Sequence, residues 1–238
     1  MKKIKAHWAT AAAAAAVAVA AATTTTTCRP DYCAYLTYTD INLDKLYTVS
    51  ELGTHGTLPI ASSPGRGVTL TADDFLGHLY WIDSDTRQIN RCDYDGSNLT
   101  GVAALGGLVS PQGISVAPVA EKIFFVDRDA GELWVTDYDG FNTTLLVSGL
   151  DTPYDTAIDE FHGFIYWTEV GKVRRSSFTG TNVVTVTTTG LNQPLGLDID
   201  TWAEKLYIID AGNNKLIQAD LNSGVNITLA SGLVSPAH

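Results

Sequence analysis

A short apolar run closed by an acid recurs along the chain and constrains its fold more than any other feature. Leu79-Tyr80-Trp81-Ile82-Asp83, Ile123-Phe124-Phe125-Val126-Asp127, Ile165-Tyr166-Trp167-Thr168-Glu169 and Leu206-Tyr207-Ile208-Ile209-Asp210 are clear copies, and Leu36-Thr37-Tyr38-Thr39-Asp40 is a fainter one. The closing acids stand 43, 44, 42 and 41 residues apart. Other markers keep the same beat. Pro64, Pro111, Pro153, Pro194 and Pro236 precede the units, four of them after a Gly-Leu pair. Asp95-Gly96, Asp139-Gly140, Thr179-Gly180 and Ser223-Gly224 fall late in each unit, followed by Asn98, Asn142, Asn182 and Asn226. A fixed period of this length marks a stack of supersecondary units, each unable to bury its own apolar faces.

The unit that begins at Pro111 translates into strands. Gly113 to Pro118 is a short apolar strand. Lys122 to Val126 is apolar at consecutive positions, as in a strand buried on both faces. Glu132 to Tyr138 and Thr143 to Ser148 supply a third and fourth strand. Asp139-Gly140 between them reads as a two-residue type I′ turn. The closing aspartate is expected to accept backbone amides of the turn that follows it, a structural duty rather than a catalytic one. The fold class expected is therefore all-β, a β-propeller of four-stranded blades with five blades visible. The first copy shows no recognisable first strand, and helical periodicity is absent beyond residue 30.

The start of the chain differs in kind. A basic stretch, Met1-Lys2-Lys3-Ile4-Lys5, precedes a nearly pure alanine run from Ala11 to Ala22 and the threonines Thr23 to Thr27. That order reads as an export signal cleaved after Ala22, with residues 1–27 as signal and Thr-rich leader and 28–238 as the propeller. In an exported protein Cys28 and Cys33 would be able to form a disulfide clip, which leaves Cys92 over as a buried thiol. The chain has 15 Lys and Arg against 26 Asp and Glu, a net charge of −11, so no basic stripe exists to grip nucleic acid. Membrane contact is expected only through an uncleaved leader or another tether.

The Tyr-Trp-x-Asp element, in a repeat of this length with a late Asp-Gly-x-Asn, resembles the YWTD repeat, the class B repeat of low-density lipoprotein receptors. The resemblance covers about residues 35 to 238, and Tyr80 to Asp83 through Asp95 to Asn98 is the best copy. It implies a six-bladed propeller that binds protein ligands on one face and has no catalytic role. The family's frequent third-strand basic residue is matched by Arg91 and Arg175 but not by Val135 or Ala219. Five second strands are present where the family has six, so an incomplete six-bladed ring is expected.

The same resemblance places the residues after each blade's proline at the ligand-binding end of the channel. The candidate ligand-binding face is Arg66, Gln112, Tyr154, Asp155 and Leu195, and the expected partner is a protein or peptide. No cofactor or metal is expected. His7, His55, His78, His162 and His238 share no repeat position or metal-ligand spacing, and no nucleophile elbow or phosphate loop occurs. The alternative is a calcium-dependent, lactonase-like propeller hydrolase, with Asp155 and Asp198 on the axis beside Gln112. A truncated repeat of structural value alone is a third reading. Asn98, Asn142 and Asn226 head N-glycosylation sequons, either as acceptors or as by-products of the repeat. The expected location is secreted, extracellular or at the cell surface.

Overall fold

The computed structural model describes residues 69–83, 85–234 and 236, together with four earlier strands whose side chains are not described. Arg66, Cys28 and Cys33 lie outside the described residues, as does the export signal through residue 23. Among the described residues, twenty strands form five four-stranded antiparallel sheets, each in sequential order. The first sheet is β1 Thr24–Thr25, β2 Tyr35–Asp40, β3 Lys45–Ser50 and β4 His55–Thr57. The second is β5 Leu70–Asp73, β6 His78–Asp83, β7 Gln88–Asp93 and β8 Thr100–Ala104. The third is β9 Pro111–Ala117, β10 Lys122–Asp127, β11 Glu132–Asp137 and β12 Thr144–Ser148. The fourth is β13 Thr156–Asp159, β14 Phe164–Glu169, β15 Lys172–Ser177 and β16 Val184–Thr187. The fifth is β17 Pro194–Asp200, β18 Lys205–Asp210, β19 Lys215–Asp220 and β20 Asn226–Ser231, with a short 3-10 turn at Ala211–Asn213. Successive first strands β1, β5, β9, β13 and β17 neighbour one another, as the inner strands of propeller blades do.

The all-β propeller fold read from the repeat is present, and one strand is added to it. The first unit has a first strand after all. Thr24–Thr25 pairs with Leu36 and Thr37, so the sheet reaches back into the segment read as leader. A threonine run shows no apolar alternation, but its β-branched side chains suit a strand.

The consecutive apolar residues of the second strands divide between two seams. Phe124 and Val126 of β10 pack toward the fourth blade with Ile165 and Trp167, while Ile123 and Phe125 pack toward the second with Tyr80 and Ile82. In the fourth blade Tyr166 turns to the fifth, joining Leu206 and Ile208, and Trp167 turns back to the third. Trp81, Trp167, Phe124 and Phe125 are fully buried. Burying such a side chain is worth about 2–3 kcal/mol, so each blade is held chiefly by its neighbours.

The late Asp-Gly pair makes a longer hairpin than the type I′ turn expected. The Gly140 amide donates to the Asp137 carbonyl at 2.9 Å, and the Asp137 amide donates to the Phe141 carbonyl at 3.1 Å. Gly140 has φ of 80° and Asn142 has φ of 54°, whereas Asp139 is not left-handed, which a type I′ turn would need. The glycine thus follows the turn's two central residues instead of being one of them. Its place in the repeat also has a second cause. A Cβ on Gly140 would lie 1.8 Å from the Val102 carbonyl oxygen of the preceding blade, one on Gly180 2.6 Å from that of Leu146, and one on Gly224 2.4 Å from that of Val186. The outer strand of each blade is received by the bare backbone of the next. A further constant is a register shift between the third and fourth strands of each of the last four blades, which increases local twist.

Among the described residues no helix is long and apolar enough to cross a membrane. Cys92 is a free buried thiol, and burial beside Asp93 and Asp95 pushes its pKa up to about 12.

Gly140→Ala and Gly163→Ala separate seam contact from turn strain. Gly163 has φ of 71° but open space around its Cβ position. Gly163→Ala is expected to cost about 1 kcal/mol for the left-handed backbone, and Gly140→Ala about 3 kcal/mol or more because blade backbones must part. Urea unfolding midpoints at constant m check the difference, and equal losses would refute the seam role.

Candidate binding face at the channel entrance

In the last three blades the loop that enters the first strand is fixed by the acid that ends the second strand. Asp127 accepts the amides of Val109 at 2.7 Å and Ser110 at 2.9 Å, both in the loop before β9. Asp210 does the same for Asn192 and Gln193 before β17, and Glu169 accepts the Asp151 amide at 2.9 Å. Asp83 accepts Asp85 and Thr86 of the turn that follows, which is the role expected from the sequence. For Asp127 and Asp210 the main partners are instead in the loop that precedes the blade. The carboxylate lies beside that loop because β9 and β17 run antiparallel to β10 and β18, bringing Pro111 opposite Asp127 and Pro194 opposite Asp210.

Glutamate in place of aspartate at 169 has a consequence of its own. Its longer side chain also takes the Trp167 indole N–H at 2.8 Å and pairs with Lys172 at 3.1 Å and Arg174 at 3.3 Å. Burial alone would raise the Glu169 pKa. The hydrogen bonds from the Asp151 amide, Trp167 and Lys172 outweigh burial and leave it below the usual glutamate value. The Trp81 indole nitrogen, two residues before the shorter Asp83, is buried with no hydrogen-bond partner among the described residues.

These clamps present Gln112, Tyr154, Asp155 and Leu195 at one end of the inner strands, each half-buried. Four of the five residues expected at the ligand face are thus at corresponding places in adjacent blades. Tyr154 is the best anchored. The Arg128 guanidinium lies 5.5 Å from its ring centroid. Burial raises the Tyr154 phenol pKa, with Arg128 acting in the opposite sense. The Tyr154 carbonyl approaches Gly113 so closely that a Cβ there would be at 2.5 Å. Asp155 is engaged by the fold, since its carboxylate accepts the Thr156 amide and, across the seam, the Leu197 amide, both at 2.8 Å. Ser115 bridges the other seam by donating to the Thr156 carbonyl at 2.8 Å.

Arg128 was not singled out by sequence reasoning. The available signal was position, because Ser84, Arg128, Val170 and Ala211 follow the fixed acid and vary freely, as surface loop residues do. Asp198 is solvent-exposed, yet flanking protein desolvates it. That desolvation, with Asp155 and Asp200 nearby, raises its pKa to about 6, against the lowering effect of the Ile199 amide. Among the described residues no three His, Cys, Asp or Glu side chains group as a metal site.

The sequon asparagines are occupied in the fold. Asn98 donates its amide to Asp93 at 2.6 Å and Asn142 to Asp137 at 2.7 Å, both from left-handed backbone. Asn226 bridges to the preceding blade through the Thr189 carbonyl at 2.6 Å.

Asp198 yields a pH prediction. Its folded pKa lies above the unfolded value, so the stability linked to its protonated form is present below about pH 4 and is lost as pH rises through about 6. Asp198→Asn is expected to flatten this part of the stability profile and to stabilise the chain at pH 7 by about 1 kcal/mol at most, since the carboxylate still reaches water. Parallel thermal melts from pH 4 to 7 read the effect. An unchanged profile would show that the carboxylate is effectively solvated.

No protein-family model matches the chain. Among curated proteins it is 33% identical over 101 residues to low-density lipoprotein receptor-related protein 5 of Mus musculus, covering 40% of this chain and 6% of that one. It is 27% identical over 144 residues to the human low-density lipoprotein receptor-related protein 5-like protein, covering 59% of this chain and 57% of that one. A low-density lipoprotein receptor-related protein 1 of Pyricularia oryzae is 25% identical over 176 residues, with 60% and 57% covered. The chain therefore spans 57% or less of the length of each of these relatives. Among solved structures, the nidogen/laminin complex matches with a TM-score of 0.71 at 18% identity, over 91% of this chain and 79% of that one. Virginiamycin B lyase from Staphylococcus aureus matches with a TM-score of 0.66 at 16% identity, over 89% and 71%. The structural matches carry the fold alone, and they include a lyase. Together with the repeat, the curated relatives bear out the resemblance of this β-propeller chain to the YWTD repeats of the low-density lipoprotein receptor class.

Proposed function

We propose that the chain is an exported, non-catalytic propeller module that binds a protein or peptide at the channel entrance. The observation that carries this reading is Tyr154, a half-buried aromatic held by Arg128 between Gln112 and Leu195 on neighbouring blades. A pre-positioned aromatic beside a guanidinium is the kind of anchor on which binding energy concentrates. Asp155 keeps the adjoining blades in register beneath it, and Arg66 is assigned to the same rim from its place in the repeat. The receptor-related names of the curated relatives support a binding role, as does the nidogen structure, which is a complex with laminin. Export rests on the basic start and alanine run of the leader, and secretion or surface display follows from it. N-terminal sequencing of secreted material, expected to begin at Thr23, tests that part.

The calcium-dependent hydrolase reading is favoured by one observation, the raised pKa of Asp198 on the inner strand β17. Against it, Asp155 is already committed to two backbone amides.

Panning a phage-displayed random peptide library on the folded chain discriminates between the two. Enriched peptides are expected to lose about tenfold or more in affinity with Tyr154→Ala, and less with Arg128→Gln. Unchanged binding by both variants would remove the site. Calcium-dependent turnover of a lactone, abolished by Asp198→Asn, would replace the binding reading with the enzymatic one.

A further inference from the structure

The opposite end of the blades carries a second feature that the channel entrance does not use. In an antiparallel blade the turn from first to second strand and the turn from third to fourth leave the sheet at the same end, away from the entrance. Backbone bonds join the two in every fully described blade: Tyr94 to Gly77 at 3.0 Å, Tyr138 to Glu121 at 3.1 Å, Phe178 to Gly163 at 3.1 Å and Leu221 to Glu204 at 3.0 Å. Adjacent blades also meet here, where the Ala120 amide donates to the Glu160 carboxylate at 2.8 Å.

At the tip of the first of these turns each of the four fully described blades exposes an apolar side chain. Phe75 is 79% exposed, Val119 86%, Phe161 88% and Trp202 98%. Isolated apolar residues on a surface need no explanation. Four at one repeat position, around one end of the inner strands, form a patterned apolar surface of the kind that marks an interaction site. Turn geometry does not demand them, since the same turns are closed by backbone bonds and by aspartate caps such as Asp73 and Asp200.

The charges around this surface select its occupant. A carboxylate stands within two residues of each tip: Asp74, Glu121, Glu160 and Glu204. The lysines and histidines at this end are already paired, Lys122 with Asp137, Lys205 with Asp220 at 2.5 Å, His78 with Asp93 at 3.3 Å and His162 with Asp159 at 2.7 Å. Arg91 and Arg175 near this end lie against Tyr80 and Phe164, so carboxylates outnumber cations around the tips, in a chain whose net charge is −11. A second copy of the same face would oppose carboxylate to carboxylate, and an anionic lipid surface would be repelled.

We propose that this second face docks a protein segment that carries lysine or arginine between aromatic or aliphatic side chains. Phe75, Val119, Phe161 and Trp202 take up the apolar residues, and the neighbouring carboxylates take up the cations. This surface is separate from the channel entrance and does not depend on what binds there.

The test uses the whole chain and a short synthetic peptide alternating Lys with Phe and Leu. Two controls accompany it, one with Glu for Lys and one with Gly for Phe and Leu. Binding is read as anisotropy of labelled peptide and as a blue shift of Trp202 emission. The Lys/apolar peptide is expected to bind, and both controls to fail. The charge-neutral double variant Phe161→Ser, Trp202→Ser is expected to lose about tenfold or more in affinity by anisotropy, while Tyr154→Ala binds as the parent does. Both substitutions lie at exposed tips, and an unchanged melting temperature confirms that the fold is intact. Equal binding by parent and double variant, or by the Gly control, would overturn the proposal as mere charge attraction. Sedimentation showing self-association that the double variant abolishes would assign the face to a second copy instead. Binding to phosphatidylserine vesicles would assign it to lipid.

Discussion

The interlock of second-strand side chains across blade seams is the interaction on which the rest of this structure depends. A single four-stranded sheet has two apolar faces and no means of covering either. In this chain successive side chains of β10 and β14 turn alternately to the preceding and following blade, so each sheet becomes a shared wall of two cores. The paired aromatics act in both directions at once. Tyr166 belongs to one core and Trp167 to the other, and substitution of either would loosen a different seam. Stability in such an arrangement is a sum over interfaces between neighbours.

On this frame the polar residues of the repeat act as fasteners. In the last three blades the acid that ends the second strand holds the loop before the first, and that loop leads into the candidate binding residues. The seam bonds of Asp155 to Leu197 and of Ser115 to Thr156 continue the fastening to the inner strands. The residues that have the look of active-site chemistry in the sequence, carboxylates recurring at fixed spacing, are mostly acceptors for backbone amides. The repeat leaves other positions free to vary, among them Gln112, Tyr154 and Leu195 at the candidate face.

The strands, their order and the burial of both faces were legible in the sequence because they follow from local pattern. The Tyr-Trp run cannot be a one-sided strand, and Asp-Gly cannot continue one. Less legible were effects that need a neighbour. Gly140 looks like a turn residue in sequence, but its closeness to Val102 depends on a blade about 40 residues earlier. The two shorter bonds of Asp127 come from residues 17 and 18 before it, and a local rule for aspartate in turns names only the longer one, from the Ala130 amide at 3.3 Å. At the candidate site, Gln112, Tyr154, Asp155 and Leu195 could be placed by register alone. Arg128 could not, because its value lies in facing Tyr154 from a different loop. Thr24–Thr25 escaped notice because threonine hides strand propensity within a low-complexity run.

The seam glycines bear on how such a chain can be lengthened or shortened. Gly140, Gly180 and Gly224 each answer the outer strand of the blade before, and Asp127, Glu169 and Asp210 reach back to the loop that leaves that strand. A sheet is therefore not the natural module of inheritance. A segment copied from one outer strand to the next would carry its own receptor for the preceding neighbour, whereas one cut at the sheet boundaries would separate the loop from the acid that holds it. Gene duplication in a lineage of this kind would preserve function most readily when its breakpoints run out of phase with the visible blades.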